Sequence, residues 1–215
     1  MAAESVTQDR IYIAIKAEYL SGLIRPGARI ELQPIADRHR ASTTPVREAM
    51  HRMIGERLIE PHPDGGFRLV TPDALPLAHL YTWYCQQVLA ALHLLRNASL
   101  ARALERFRGT VIPSEPLPQA ERCDRVFQEI ANATGNAEII EQMAAANERL
   151  RYPRLAEARL FPNLSKELEN LTRNGNLSGI ANVRRRVTAF HDRRILHATE
   201  IASTLRAADD RGPLV

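Results

Sequence analysis

"STTPVREAM", residues Ser42–Met50, opens a helix with two unlike faces. Val46, Ala49, Met50, Met53 and Ile54 recur at the three- and four-residue spacing of a buried stripe. Thr44, Arg47, His51 and Arg52 fall on the other side. A core accounts for the stripe but not for hydroxyls and an arginine gathered at the start of so short a helix. Ser42 or Thr44 is placed to cap it, and Pro45 sits early enough that its missing N–H does little harm.

Working outward, Ile11, Ile15 and Tyr19 predict a helix over 9–21 that Gly22 stops, and "IRPGARI" (24–30) reads as a turn. Residues 33–39, "QPIADRH", suit a short helix with Pro34 in its first turn, and "RAS" is a tight connection to the quoted stretch. Downstream, "LIEPHPDGGFRLV" (58–70) places strand formers on both sides of Asp64-Gly65-Gly66, a hairpin signal with glycine where positive φ is needed. Three short helices and a hairpin are the elements of a winged helix-turn-helix. "TPDALP" (71–76) then reads as a hinge, dividing the chain into 1–72 and 73–215.

The second part reads as helical throughout. Residues 74–96 form a long apolar helix, "TVIPSEPLPQ" (110–119) is a loop because of its three prolines, and helices follow at 120–133, 136–151, 163–173 and 177–207, divided by "TGN", "RYP" and "RNGN". The fold class is therefore mainly α: an N-terminal winged helix-turn-helix plus a C-terminal all-α bundle. Only 5% of residues are aromatic, so aliphatic side chains must form most of the core. The formal net charge of +4 permits an anionic partner without requiring one. Cys85 and Cys123 lack metal or redox spacing and read as buried thiols. The start carries no signal-peptide core, and "VLAALHLL" (88–95) is too short to span a bilayer, so a cytoplasmic protein is expected.

Residues 10–70 resemble the DNA-binding domain of GntR-type bacterial transcription regulators. The resemblance rests on "IRPG" before the second helix, "IADR" within it, "STTPVREAM" opening the third, and "GGFRLV" closing the wing, in that order. In such a motif the recognition helix enters the major groove by its N-terminus. The candidate DNA-contacting residues are Gln33, Arg40, Ser42, Thr43, Thr44, Arg47 and Gly66. The hydroxyls and free helix N–H groups suit phosphates, and Arg47 suits guanine O6 and N7. Glu48 is expected to brace the domain. The family commonly has basic residues where this chain has Thr43 and Gly65, which predicts altered base preference and weaker single-site binding.

The helical remainder resembles the FadR-like (FCD-type) subgroup, whose bundle senses a small carboxylate, often through a bound metal. "CDRVFQEIANATGN" (123–136) matches its pattern at Asp124, Phe127 and Asn136. The family's ligand histidine four residues after the aspartate is here Gln128, a poor partner for zinc or nickel, and residues 163–173 hold no histidine. Asp124 and His191 are the candidate metal ligands that remain, of an incomplete set; the alternative readings are a helix-face carboxylate paired with an arginine for Asp124 and a packed bundle histidine for His191. The candidate effector-binding residues are Tyr84, Gln87, Asp124, Gln128 and His191, with Trp83, Tyr84 and the glutamines 86 and 87 expected to line a pocket. The chain between the first bundle helix and Asp124 is short for the family, so one helix is expected to be missing or reduced. "NVRRRVTAFHDRRI" (182–195) reads as a solvated arginine face.

The implied function is transcription regulation: a homodimer on an inverted repeat of double-stranded DNA, with a small-molecule effector in the helical domain and no membrane partner. The alternative is a bundle that only dimerises. No nucleophile elbow, phosphate loop or complete metal motif points to an enzyme.

Overall fold

The first helix is kept against the third by a polar clamp rather than by apolar contact alone. The computed structural model, which describes residues 2–111, 113, 115–173 and 179–211, places α1 at Ala2–Leu20 and α3 at Thr43–Gly55. The Tyr12 hydroxyl donates to Glu56 (2.6 Å), Lys16 Nζ reaches both Tyr12 Oη (2.7 Å) and Glu56 (3.1 Å), and the Arg52 guanidinium lies 3.7 Å over the Tyr12 ring. Beneath this clamp Ile11, Ile15 and Tyr19 meet the buried stripe Val46, Ala49, Met50 and Met53. The predicted spacing thus defines the core, although α1 begins earlier than the periodicity indicated. Gly22, at φ 75°, ends it.

The short α2 (Leu32–His39) is joined to α3 by a single left-handed residue, Arg40 (φ 51°). The Ala41 N–H bonds back to Ala36 O (2.9 Å), closing the turn. Strands β1 (Ile59–Pro61) and β2 (Phe67–Leu69) pair antiparallel with Ile59 opposite Leu69. Gly65 (φ 86°) and Gly66 (φ 80°) adopt the positive φ expected of the turn. A feature absent from the sequence reading is a third rung, in which Ile30 bridges Phe67 through backbone bonds of 2.7 and 3.1 Å.

The chain divides into two compact units. One holds the residues up to Thr71 together with those from Leu205, and the other runs from Pro72 to Thr204. In the second, α4 (Ala74–Leu94) packs against α10 (Ile180–Leu196), and α6 (Pro116–Asn132) against α7 (Ala137–Arg149) and α8 (Arg151–Leu160). The short α5 (Asn97–Glu105) occupies the stretch expected to have a reduced helix. The helix α9 (Leu164–Thr172) also lies in this unit, and α11 (Ala198–Arg211) belongs to it as far as Thr204.

Three expectations are corrected. Residues 116–119 are not loop: Pro116 and Pro118 lie in the first turn of α6, where their missing N–H groups would have had no intrahelical acceptor. A helix does end beside "RYP", at Arg149, but residues 151–160 are not a connection: Tyr152 and Pro153 lie in the first turn of α8. The expected final helix, whose first residues lie outside those described, is divided at His197 (φ −100°, ψ 20°), the ring of which packs edge-on to Phe161 at 5.6 Å.

A Cβ on Gly66 would lie 2.8 Å from the Ile30 carbonyl oxygen at a backbone angle that L side chains rarely adopt. Gly66→Ala should therefore destabilise the hairpin by about 2 kcal/mol or more. Faster amide hydrogen exchange at Phe67 and Ile30, with α4–α10 amides unchanged, is the expected readout.

Candidate functional site

Ser42 occupies the N-cap position of α3 with extended backbone (φ −77°, ψ 167°), yet its side chain makes no capping hydrogen bond. Its hydroxyl is exposed, as are Thr44 and Arg47; Thr43 is half-buried. Among the described residues neither Arg40 nor Arg47 has an ion-pair partner, and both are exposed. The opening turns of α3 thus present two hydroxyls, a guanidinium and the unpaired helix N–H groups on one surface. Gln33 is exposed but its amide donates to Asp37 (2.7 Å) on its own helix. Gly66 is accounted for by the close approach of Ile30. Glu48 does not brace the domain: its side chain is exposed and makes no ion pair among the described residues.

The interior of the helical unit is built around arginine. Arg154, on α8, donates to Asp124 Oδ1 and to Asn147 Oδ1 (2.9 Å), and its guanidinium lies 5.2 Å from the Tyr84 ring centre. Arg151, one turn earlier, takes the other carboxylate oxygen of Asp124 (2.7 Å). The Tyr84 hydroxyl donates to Asn147 Oδ1 (2.5 Å), and Asn147 Nδ2 donates to Gln128 Oε1 (3.2 Å) and the Asp124 carbonyl (3.3 Å). A second cluster adjoins it. Arg194, fully buried, donates to Glu157 (2.7 Å) and makes two bonds to Glu167 (3.0 and 3.1 Å), while the Tyr81 hydroxyl donates to Glu157 (2.5 Å). Burial by itself would favour loss of the proton from Arg154 and Arg194, but the surroundings, with Asp124, Glu157 and Glu167 among them, outweigh it and hold both guanidinia charged.

His191 lies in the same interior. Its ring packs against Tyr84 (5.5 Å), Phe127 (5.3 Å) and Phe190 (5.2 Å), with Nδ1 2.7 Å from the Val187 carbonyl. Burial drives its pKa down to about 3, so it is neutral at ordinary pH. Burial also raises the Cys123 thiol to about 12 and the Cys85 thiol to about 11, which leaves both inert as nucleophiles.

These partners do not fit a divalent metal. Both oxygens of Asp124 are held by guanidinia, and the Gln128 carbonyl accepts from Asn147 while its amide donates to the Ile140 carbonyl. A cation is already in place, and it would repel a second. Among the described residues no group of three or more His, Cys, Asp or Glu side chains could hold a metal ion. The reading of Asp124 and His191 as metal ligands is corrected accordingly: one is an arginine partner, the other a packed core residue. The expected pocket of Trp83, Tyr84, Gln86 and Gln87 does not assemble. Tyr84 points into the unit while Trp83 and Gln86 are exposed and Gln87 is half-buried, because neighbouring helical positions diverge by about 100°.

The sequence reading missed Arg154, Asn147, Glu157 and Arg194. A signal existed in "RYPRLAEAR", where Arg151, Arg154 and Glu157 recur every third residue and so share a helix face. Arg194 also overturns part of the solvated reading of 182–195, whereas Arg184 and Arg185 are exposed as expected.

A three-helix body with a strand-paired wing and an open N-terminal face on its third helix defines a winged helix-turn-helix. Residues 7–69 match the family model described as bacterial regulatory proteins, gntR family, so the chain carries the helix-turn-helix domain of that family. Two solved structures extend the likeness over most of the fold. The GntR protein from Rhodococcus sp. RHA1 aligns with a TM-score of 0.73 at 16% identity, covering 89% of this chain and 96% of that one. E. coli McbR/YncC aligns at 0.62 and 19%, with coverage of 89% and 96%. Comparison with curated proteins gives no match. Among the described residues no helix is long and apolar enough to cross a membrane.

The buried histidine gives the stability a defined acid limb. The unfolded imidazole titrates near 6.5 and the folded one at about 3. Its neutral form therefore contributes fully above pH 6.5, and that contribution falls as pH drops from 6.5 to 3. The slope is up to about 1.4 kcal/mol per pH unit. Urea unfolding should show wild type losing stability relative to His191→Leu as pH falls through that window, and a pH-independent difference would refute the assignment.

Proposed function

We propose that this protein is a DNA-binding transcription regulator of the FadR-like subgroup, acting as a homodimer on an inverted repeat and controlled by a small metabolite in its helical unit. The observation that carries the proposal is the first turns of α3, where Ser42, Thr44 and Arg47 are exposed within a segment matching the gntR family. Ser42 and Thr44, with Thr43 and the helix N–H groups, hold backbone phosphates, and Arg47 reads a guanine edge. Arg40, in the left-handed turn before α3, adds a phosphate contact. Gln33 and Gly66 lie at the margin of this surface. Exposed Leu75, Trp83 and Leu94 on α4 offer apolar area for a second copy, which would present two recognition helices to two half-sites.

One observation favours a second reading, in which the helical unit dimerises without sensing. The two carboxylates at its centre, Asp124 and Glu157, are already paired with Arg154 and Arg194, so neither of those guanidinia is open to a carboxylate effector.

Selection of duplexes by the purified protein from a random pool, at physiological salt, tests the proposal. Arg47→Ala should relax preference at one base pair per half-site, at a cost of about 1–3 kcal/mol. A wild-type protein that enriches no sequence would sink the regulator reading. Thermal unfolding as isolated, after EDTA, and with metals and a metabolite panel separates the two versions. EDTA and metals should leave the midpoint where it is. A stabilising metabolite should raise stability by about 2.7 kcal/mol at a hundredfold excess over its dissociation constant. Loss of stability in EDTA, restored by zinc or nickel, would contradict the fit of the interior described above.

A further inference from the structure

The segment before α2 does more than connect. Ile30 pairs with Phe67 through two backbone hydrogen bonds, so the chain at Ile30 adds a single bridged rung beside the hairpin. Side chains alternate along such a rung. Ile30 therefore turns into the core, while Arg29 and Glu31 stand outward and half-exposed. Arg29 then lies back across the wing turn. A Cβ on Gly66 would meet its Nε at 3.4 Å and its Cγ at 3.6 Å, and one on Gly65 would meet Nη2 at 3.7 Å. The two glycines thus leave bare the surface on which this guanidinium rests, as well as supplying the positive φ of the turn.

The other charges of the wing are engaged with each other. Arg68 pairs with Glu60 (2.7 Å), and Asp64 leans toward His62 Nδ1 (3.9 Å). Glu31 stands 3.8 Å from Arg29 Nε, beyond hydrogen-bond length and open to solvent, a pairing that a phosphate can displace. The hairpin is also fixed to the recognition helix. The His51 ring of α3 packs edge-on to Phe67 at 5.9 Å, and the Leu58 N–H bonds to the Met53 carbonyl of α3 (3.0 Å).

We propose that Arg29 is the DNA-contacting cation of the wing, holding a backbone phosphate beside the footprint of α3. This rests on the DNA-binding reading above. It also revises the expectation drawn from Gly65, because the charge missing at the tip is supplied by the residue before the bridged Ile30.

The test uses full-length wild type, Arg29→Gln, Arg29→Lys and Arg47→Ala, each titrated with the duplex that wild type enriches most from a random pool, over roughly 0.05–0.3 M KCl. Arg29→Gln should bind about fivefold more weakly near 0.15 M salt. Its slope of log affinity against log salt should be smaller by about 0.9, the value of one phosphate contact, with base preference unchanged. Arg29→Lys should keep the wild-type slope. An Arg29→Gln protein with wild-type affinity and slope overturns the inference, as does one that changes base preference without changing slope. If Arg47→Ala loses preference while Arg29→Gln matches wild type, the wing contact alone falls. If wild type enriches nothing, the regulator reading falls and takes this inference with it.

Discussion

The helical unit depends on a positive charge enclosed where water cannot screen it. Arg154 is 2% exposed, and Asp124 and Asn147 hold its guanidinium between α6, α7 and α8. An enclosed ion pair of this kind adds little net stability, because desolvation offsets most of its Coulomb gain. Removing one partner is another matter, at about 3–5 kcal/mol, since the remaining charge is stranded. The pair therefore works as a constraint: α8 has one register in which Arg151, Arg154 and Glu157 all find partners. A shift of one residue along that helix would place two guanidinia and a carboxylate against apolar walls.

The DNA-binding unit follows the opposite rule. Its polar clamp, Tyr12, Lys16 and Glu56, fixes α3 from behind, so the hydroxyls and guanidinium at the front need no internal partner. Ser42 holds the N-cap position without capping, although a capping hydroxyl would stabilise the helix by about 1 kcal/mol. With that interaction unmade, the Ser42 oxygen does not cap the first N–H groups of α3, as the proposed phosphate contact requires.

Much of this unit was legible in the sequence, because its signals are local. Glycines at 22, 65 and 66 mark real changes of backbone direction, and the stripe from Val46 to Met53 is buried as its spacing indicates. The third rung at Ile30 was not legible, since a single bridged residue has no periodicity. In the helical unit the misses share one cause. Pro116, Pro118 and Pro153 read as breakers, but a proline in a first turn lacks only an N–H that has no acceptor there. That reading removed α8, and with it the partner of Asp124. Trp83 and Tyr84 could not both line a pocket on a regular helix. Family likeness drew attention to the ligand residues Asp124 and His191, whereas the chain's departure at Gln128 was the better guide.

Arginine ties these observations together. All but two of the 29 basic residues are arginine, which as a bare count indicates a basic surface. The structure assigns several of them elsewhere. Arg122, Arg151, Arg154 and Arg194 are buried, and they engage carbonyls, a carboxylate pair and aromatic faces. Lysine could not replace them, having one point charge where a planar fork of five donors is needed. The charge that can meet a polyanion is therefore not the overall +4 but the placement of a few exposed guanidinia, Arg29, Arg40 and Arg47, on one small domain. The same residue type serves both units for one reason. It stays charged in either setting, so position alone decides whether it holds a core together or meets a phosphate.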